Sequence, residues 1–278
     1  MKKSVHILLL ALCSAALLAQ QPAATGKSGQ PAGKHVPQAK THPEFNDYNT
    51  AYALSGGAAV EKAADEFSAK YPASELKSFL YAKALHEYQT ENNKQKMLLM
   101  GQKVLQLDPD NTVALVLTAT VMADDLGEGA KSGDRQVTEI KKNCSHALET
   151  MDASMAAMTN ASPEQLQAYK KTLQSLAHSA LGIVALKGNE DPEAERELKL
   201  AADLNQGQPD PFIWYHLALA QDHQNKYNEA LVSINQAVQS AGSNPDLATL
   251  AQGELQRLQT LTGGAAATQS KPQPPAPK

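Results

Sequence analysis

The stretch DPFIWYHLALAQDHQNKYNEALVSINQAVQSAG, residues 210–242, decides the fold class of this chain. It contains two segments in which apolar residues recur every three to four positions, separated by a polar turn at 223–226. That period is typical of helices that bury one face. The stretch therefore predicts a helical hairpin whose inward positions are Trp214, Leu217, Ala218, Tyr227, Ala230, Ile234 and Ala237.

The spacing of three small or apolar positions in this hairpin recurs upstream. Ala218, Ala230 and Ala237 are separated by 12 and 7 residues. The same separations hold in two earlier segments, for the triplets Gly182, Ala194 and Ala201 and Leu85, Met97 and Val104. A third triplet, Ala119, Ile140 and Ala147, keeps the second separation of 7 residues but has nine extra residues in its turn. Self-similarity at a period near 34 residues indicates a helical repeat, in which neighbouring hairpins must stack to bury their apolar faces.

Composition agrees with an all-α chain and excludes some functions. Aromatic residues make up 5% of the sequence, and alternating runs of β-branched residues are missing. The formal net charge is −4, and removal of the first 19 residues would leave −6 because Lys2 and Lys3 go with them. An acidic balance gives no electrostatic footprint for nucleic acid. Cys13 and Cys144 are too few for a disulfide framework.

The N-terminal segment MKKSVHILLLALCSAALLA, residues 1–19, has the layout of a secretory signal peptide. We expect cleavage after Ala19, with Ala16 or Gln20 as alternatives, and a mature chain in the periplasm or secreted. The apolar run of 15 residues is shorter than the roughly 20 that span a bilayer, and no later run is long enough, so we expect no membrane span in the mature chain. Residues 20–42 are rich in Pro, Gly and Gln and predict a disordered linker, 43–262 the helical domain, and 263–278 a disordered tail.

Helix start signals punctuate the domain. A capping residue followed by proline occurs at Ser162-Pro163, Asp191-Pro192, Asp210-Pro211 and Asn244-Pro245. Ser162 and Gln165 are spaced as a capping box, and Ser74 follows Pro72 where a cap is needed. These signals predict about eleven helices joined mostly by short turns.

The repeat resembles the tetratricopeptide repeat family over roughly residues 43–262. The last hairpin matches the family pattern well through Trp214, Ala218 and Ala230. The hairpin before it matches similarly, the first hairpin through Ala63 and Phe67 looks like a bacterial envelope variant, and the unit 111–151 is weak because 124–133 enlarges its turn. The resemblance implies a right-handed solenoid of helical hairpins. The residue pattern of the final helix predicts a C-terminal capping helix that covers the last exposed face. Its covering residues are Leu247, Leu250, Leu255, Leu258 and Leu261, and its polar outer side carries Gln252, Glu254, Gln256 and Arg257.

Motifs for catalysis or metal binding fail on inspection. No histidine pair has the spacing of a zinc site, and His86-Glu87 lacks the second histidine of the zincin pattern. The segment 108–112 lacks the glycine and the distal glutamate of a calcium loop. We therefore predict neither an enzyme nor a cofactor or metal site.

The resemblance implies a concave groove lined by the first helices of successive hairpins. Ser179, Ile183, Tyr215 and His216 stand where chaperone-binding members hold a peptide carboxylate with lysine and asparagine, so that clamp is absent. The groove would be apolar and aromatic, although its leucines and isoleucine could instead pack against a neighbouring helix. Its implied residues are Phe79, His86, Gln89, Leu176, Ser179, Ile183, Lys187, Phe212, Tyr215, Leu219, Asp222 and His223.

Three functions follow, in order of preference. The first is a protein-binding scaffold in the cell envelope whose partner is another protein or a peptide segment. The second is a structural subunit of an envelope or outer-membrane assembly. An enzyme or metal-binding protein comes last.

Overall fold

The computed structural model of the chain describes residues 37–156, 161–242 and 244–269, with side chains as far as Gly263. Within these ranges the chain is all-helical, without a strand, which confirms the predicted all-α class and the expected number of about eleven helices. The helices are α1 (His42–Tyr52), α2 (Gly57–Lys70), α3 (Lys77–Thr90), α4 (Lys94–Leu107), α5 (Thr112–Asp124), α6 (Arg135–Ala156), α7 (Pro163–Lys187), α8 (Asp191–Leu204), α9 (Pro211–His223), α10 (Tyr227–Ser240) and α11 (Pro245–Gln269).

Side chains cap several of these helices as the sequence predicted. Asp210 Oδ1 accepts a hydrogen bond from the Phe212 amide at 2.8 Å. Ser162 and Gln165 form the predicted reciprocal pair, at 3.3 and 2.9 Å. Two predicted caps differ, because Ser74 bonds the Leu76 amide within a turn that precedes α3, and α8 begins at Asp191 itself.

The helical domain begins and ends at different residues than the sequence predicted. Thr41 Oγ1 caps α1 by accepting from the Glu44 amide, so α1 starts at His42, inside the predicted linker. At the other end α11 continues to Gln269, past the predicted end at 262. The predicted signal peptide lies outside the described residues.

The chain divides into two compact units. Unit 1 contains the residues up to Asp125 together with Thr138–Ala177, and unit 2 contains Leu126–Val137 and the residues from His178 onward. Helix α7 contributes its first part to unit 1 and its last part to unit 2.

In unit 1 consecutive helices from α1 to α5 pack against one another. Helix α2 buries Val60, Ala64 and Phe67, whereas Ala63, chosen from the repeat resemblance, is only partly buried. The buried stripe of α2 therefore runs through Ala64, one residue after the Ala63 that the sequence predicted for the first hairpin. Helix α5 is buried on every side from Ala114 to Ala123.

Unit 2 packs α8 to α11 in sequence, with a further contact between α9 and α11. One core cluster joins α7, α8 and α9, and a second joins α9, α10 and α11. Trp214, the single tryptophan of the chain, packs against both clusters. Gly182 of α7 allows a close approach to α8, since a Cβ there would lie 2.6 Å from Leu198 Cγ and one of the two helices or the leucine would have to shift.

The triplets that defined the repeat mark the core of the protein. All twelve of their residues are buried, and most have no exposed surface. This packing of neighbouring helices around regularly spaced small residues is consistent with a helical repeat.

Helix α11 buries a narrower stripe than expected. Leu247, Leu255 and Leu258 are buried, whereas Leu250 and Leu261 are 40% and 41% exposed. Ala251, which the sequence pattern did not single out, belongs to the core cluster. The stripe follows the helical period from Leu247 through Ala251 to Leu258, and Leu250 and Leu261 fall to one side of it.

The enlarged turn between α5 and α6 is folded onto the end of α7 within unit 2. The Gly129 amide donates to the Lys187 carbonyl oxygen at 2.8 Å, and the Lys187 ammonium donates to the Leu126 carbonyl oxygen. Leu126 and Val137 are buried. The turn thus satisfies a carbonyl at the C-terminus of α7 that lacks a partner inside its own helix.

Candidate functional site

The residues implied for the groove lie on three helices. Phe79, His86 and Gln89 are on α3 in unit 1, and Phe212, Tyr215, Leu219, Asp222 and His223 are on α9 in unit 2. Leu176, Ser179, Ile183 and Lys187 are on α7, where Leu176 belongs to unit 1 and the other three to unit 2.

The α7 residues present little surface for a partner. Leu176, Ser179 and Ile183 are buried, at 7%, 9% and 6% exposure. Lys187 is engaged by the Leu126 carbonyl oxygen. For Leu176 and Ile183 the alternative interpretation, in which they pack inside the protein, describes what the structure shows.

On α3 the implied residues differ from one another. Phe79 and His86 are partly buried, whereas Gln89 is 9% exposed and its Nε2 has no partner in the described part of the chain. Gln89 lines a small cavity, also bordered by Met97, whose edge carries the Lys94–Asp124 ion pair at 2.8 Å. The surface around these α3 residues therefore combines partly buried, buried and charged side chains.

Helix α9 brings the largest group of implied residues together. Phe212, Tyr215, Leu219 and Asp222 follow at intervals of three and four residues and therefore share one face of the helix. Phe212, Tyr215 and Leu219 are partly buried, so each keeps some exposed surface. We call these four residues, with the neighbouring His223, the α9 face.

The core fixes the α9 face from behind. Leu219 packs against the α7–α8–α9 cluster, and Tyr215 packs against the α9–α10–α11 cluster. Burial of the Tyr215 ring, and secondarily the charge of Glu254, raise the pKa of its hydroxyl, so it stays neutral near neutral pH. The ring also meets His216 edge to face, with centroids 5.7 Å apart.

Charged contacts close the C-terminal end of the α9 face. Arg257 of α11 pairs with Asp222 and with Glu254, and hydrogen bonds to these two carboxylates raise the pKa of the guanidinium, with Glu254 contributing most. His223 Nδ1 lies 2.9 Å from Asp191 Oδ1 of α8. Asp222 and His223 are therefore held by other helices of unit 2.

A buried carboxylate behind this end was missed in the sequence. Glu195 of α8 is 5% exposed and contacts four polar side chains: Lys199 at 2.6 Å, Lys226 at 2.5 Å, Gln224 at 3.0 Å and Gln221 at 3.5 Å. Burial raises the pKa of Glu195, but the hydrogen bonds from Lys199, Lys226 and Gln224 lower it more, to about 2. Gln221 is itself buried and accepts from the Ser233 hydroxyl of α10 at 2.7 Å.

Unit 1 contains a similar arrangement. Glu61 of α2 accepts hydrogen bonds from the Tyr88 hydroxyl of α3 and from Lys96 of α4, the latter at 2.8 Å. One turn along α2, Asp65 accepts from Tyr81 and Lys103, each at 2.7 Å. In both units a carboxylate on the second helix of one hairpin thus binds both helices of the next hairpin.

The sequence carries only a faint signal for these carboxylates. Glu61 and Glu195 each follow a fully buried residue of the stripe, Val60 and Ala194. Their partners Tyr88 and Gln221 each stand three residues after a triplet position, Leu85 and Ala218. The equivalence becomes visible only once the contacts of the two hairpins are known.

No metal centre or membrane helix is found in the part of the chain that the structure describes. There, His, Cys, Asp and Glu side chains do not gather in groups of three that could hold a metal ion. None of the helices in that part combines the length and apolar character needed to cross a bilayer. Three histidines instead pair with single carboxylates: His146 with Asp110, His178 with Glu197, and His223 with Asp191.

Comparison with known proteins adds no relative. No protein-family model matches the chain, and no curated protein matches it. Function must therefore be inferred from the residues and their geometry.

Proposed function

We propose that this chain is a non-enzymatic scaffold that binds another protein through the α9 face. The proposal includes a tetratricopeptide-like, right-handed solenoid with α11 as its capping helix, exported to the cell envelope by the N-terminal segment. The spacing of the buried triplets and the layout of residues 1–19 support these parts.

One observation carries the binding assignment. On α9 an aromatic pair and a leucine keep exposed surface while two core clusters hold the same helix in place. Aromatic side chains on a rigid support are favoured at protein interfaces, because they contribute large contact area at low entropic cost. The implied residues of α7, by contrast, are buried or engaged by the chain itself.

The chemistry of the α9 face indicates the kind of partner. Phe212, Tyr215 and Leu219 suit the apolar side of a helix or of an extended segment. Arg257 offsets only one of the two carboxylates of Asp222 and Glu254, so the C-terminal end of the face keeps a net negative charge. A partner segment with apolar anchors fits this surface best.

A permanent structural role in an envelope assembly is the second candidate. Leu250 and Leu261 of α11 are about two-fifths exposed, and both lie outside the buried stripe of that helix. These two leucines, eleven residues apart along one side of α11, are the observation that favours a lasting contact with another subunit.

Affinity capture with the full chain tests both candidates. The double variant Tyr215→Ala with His223→Ala should lose most of the partner captured from an extract of the source cells. The matched control is Val232→Ala with Asn228→Ala on α10, since both of these residues are exposed. Equal capture by the two double variants would exclude the α9 face.

The form of the captured complex separates the candidates. A complex of fixed stoichiometry supports the structural subunit, and substoichiometric capture supports a transient scaffold. The intact mass of the exported protein tests the leader, because a species that still begins at Met1 would rule out cleavage.

A further inference from the structure

Two carboxylates one turn apart on α8 hold the last turn of α9. Asp191 contacts His223 at 2.9 Å, and Gln224 donates to the Asp191 carbonyl oxygen at 3.1 Å. Four residues later, Glu195 accepts from Gln224 and Gln221. Residues four apart lie on the same side of a helix, so α8 presents both carboxylates along one line.

Glu195 also reaches beyond α9. Lys226, at the start of α10, donates to Glu195 Oε2 at 2.5 Å, and Gln221 links onward to Ser233 of α10. A single buried carboxylate therefore joins α8, α9 and α10. Three of its partners, Gln221, Gln224 and Lys226, flank Asp222 and His223 of the α9 face in sequence.

The arrangement in unit 1 is independent support for a positioning role. Glu61 makes the same kind of contact to α3 and α4, with tyrosine in place of glutamine. Two unrelated sets of partners around an equivalent carboxylate indicate that the carboxylate, rather than its particular donors, fixes the next hairpin. A carboxylate with several donors is directional, which a contact between apolar side chains is not.

We propose that Glu195 is the positioning residue of the α9 face: its buried carboxylate, by joining α8 to α9 and α10, sets the orientation in which α9 presents Phe212, Tyr215 and Leu219 to a partner. This inference rests on the proposed function of the α9 face. It assigns Glu195 an effect on binding although this residue is buried and would not touch the bound protein.

Glu195→Gln tests the inference in the full chain, with Glu193→Gln as the matched control. Glu193 lies on the same helix, is exposed, and bonds Arg196 within α8. The emission and near-UV circular dichroism of Trp214 report the orientation of α9, because Trp214 packs against both core clusters. All readings are taken well below the melting temperature, with far-UV circular dichroism confirming the helix content.

We expect Glu195→Gln to change the Trp214 signals and to weaken binding of the protein captured by the unaltered chain about tenfold or more, corresponding to roughly 1.4 kcal/mol. Glu193→Gln should change neither. Unchanged Trp214 signals, unchanged binding, or equal effects of the two variants would each overturn the inference. If Glu195→Gln does not fold, Lys226→Met removes one partner only and is judged by the same criteria.

The Tyr215→Ala, His223→Ala double variant separates the two proposals. If it captures the partner normally, the α9 face is not the binding surface and the proposed function fails. If it loses the partner while Glu195→Gln binds normally, the proposed function stands and the positioning role is wrong.

Discussion

Asp222 of α9 and Arg257 of α11 form an ion pair, and Glu254 binds the same guanidinium from within α11. The sequence placed Asp222 among the partner contacts and Arg257 on the polar outer side of the last helix. In the folded chain the two residues contact each other, and the Asp222 side chain is 15% exposed. The pair attaches α11 to the C-terminal end of the α9 face.

Replacing Arg257 with methionine should lower the free energy of unfolding by about 1 kcal/mol, because the partly buried Asp222 carboxylate loses its partner. Urea unfolding followed by circular dichroism measures the change. Lys62→Met is the control, since Lys62 and Glu66 are highly exposed and 3.9 Å apart. Equal losses in both variants would show that the Asp222–Arg257 pair adds no more to stability than an exposed pair does.

Gly182→Ala should destabilise the protein although alanine favours helix. The new Cβ would lie 2.6 Å from Leu198 Cγ. Overpacking of this kind costs about 1–3 kcal/mol, against a helix-propensity gain of up to about 1 kcal/mol.

Gly253→Ala is the matched test, because a Cβ added at this position of α11 would meet no other atom within 4 Å. Thermal unfolding should show a lower melting temperature for Gly182→Ala and an unchanged or higher one for Gly253→Ala. A stabilised Gly182→Ala protein would contradict the close approach of α7 and α8.

Gly129→Ala should loosen the enlarged turn from the end of α7. Gly129 has φ of +75°, a conformation that costs an alanine roughly 1 kcal/mol. Hydrogen exchange of the Gly129 amide, which donates to Lys187, and of residues 127–136 should quicken. Gly133→Ala, in the same turn but without a positive φ, should leave exchange unchanged; similar exchange in both variants would argue against the strain.

Stability should fall in acid partly through Glu195. Its pKa is lowered to about 2 in the folded chain, so the unfolded state binds the proton more readily. The stabilisation from this carboxylate is present above about pH 5 and is lost as the pH falls toward about 2.

Urea unfolding of the unaltered chain and of Glu195→Gln, between about pH 6 and pH 3, isolates this contribution. The difference in unfolding free energy between the two proteins should shrink as the pH falls. A difference that stays constant over this range would mean that the pKa of Glu195 is the same in the folded and the unfolded chain.

The twelve triplet residues illustrate what could be predicted from the sequence. Helical periodicity and small residues at fixed spacing depend on local geometry and on how closely two helices approach, so Ala218, Ala230 and Ala237 could be placed in the core from the sequence. The first hairpin was harder, because Ala63 and Ala64 are equally small and only packing against the neighbouring helices decides which of them is buried.

The candidate site was less accessible to sequence reasoning. The repeat resemblance implied the residues of the α9 face, and the structure keeps Phe212, Tyr215 and Leu219 together on one side of that helix. The resemblance could not reveal that Leu176 and Ile183 are buried, because an apolar residue on a repeat helix can line a groove or pack in the core equally well.

The sequence by itself determined the all-α class, several helix starts such as those capped by Ser162 and Asp210, and the spacing of the core, because these follow from backbone period, capping and side-chain size over short distances. Only the tertiary structure decided that Asp222 pairs with Arg257, that 126–137 folds onto α7, and that Glu195 joins three helices. Such contacts link residues that are far apart in the chain. The position of a charged side chain in the sequence does not indicate which residue it pairs with. These contacts therefore depend on where the helices meet in the folded chain.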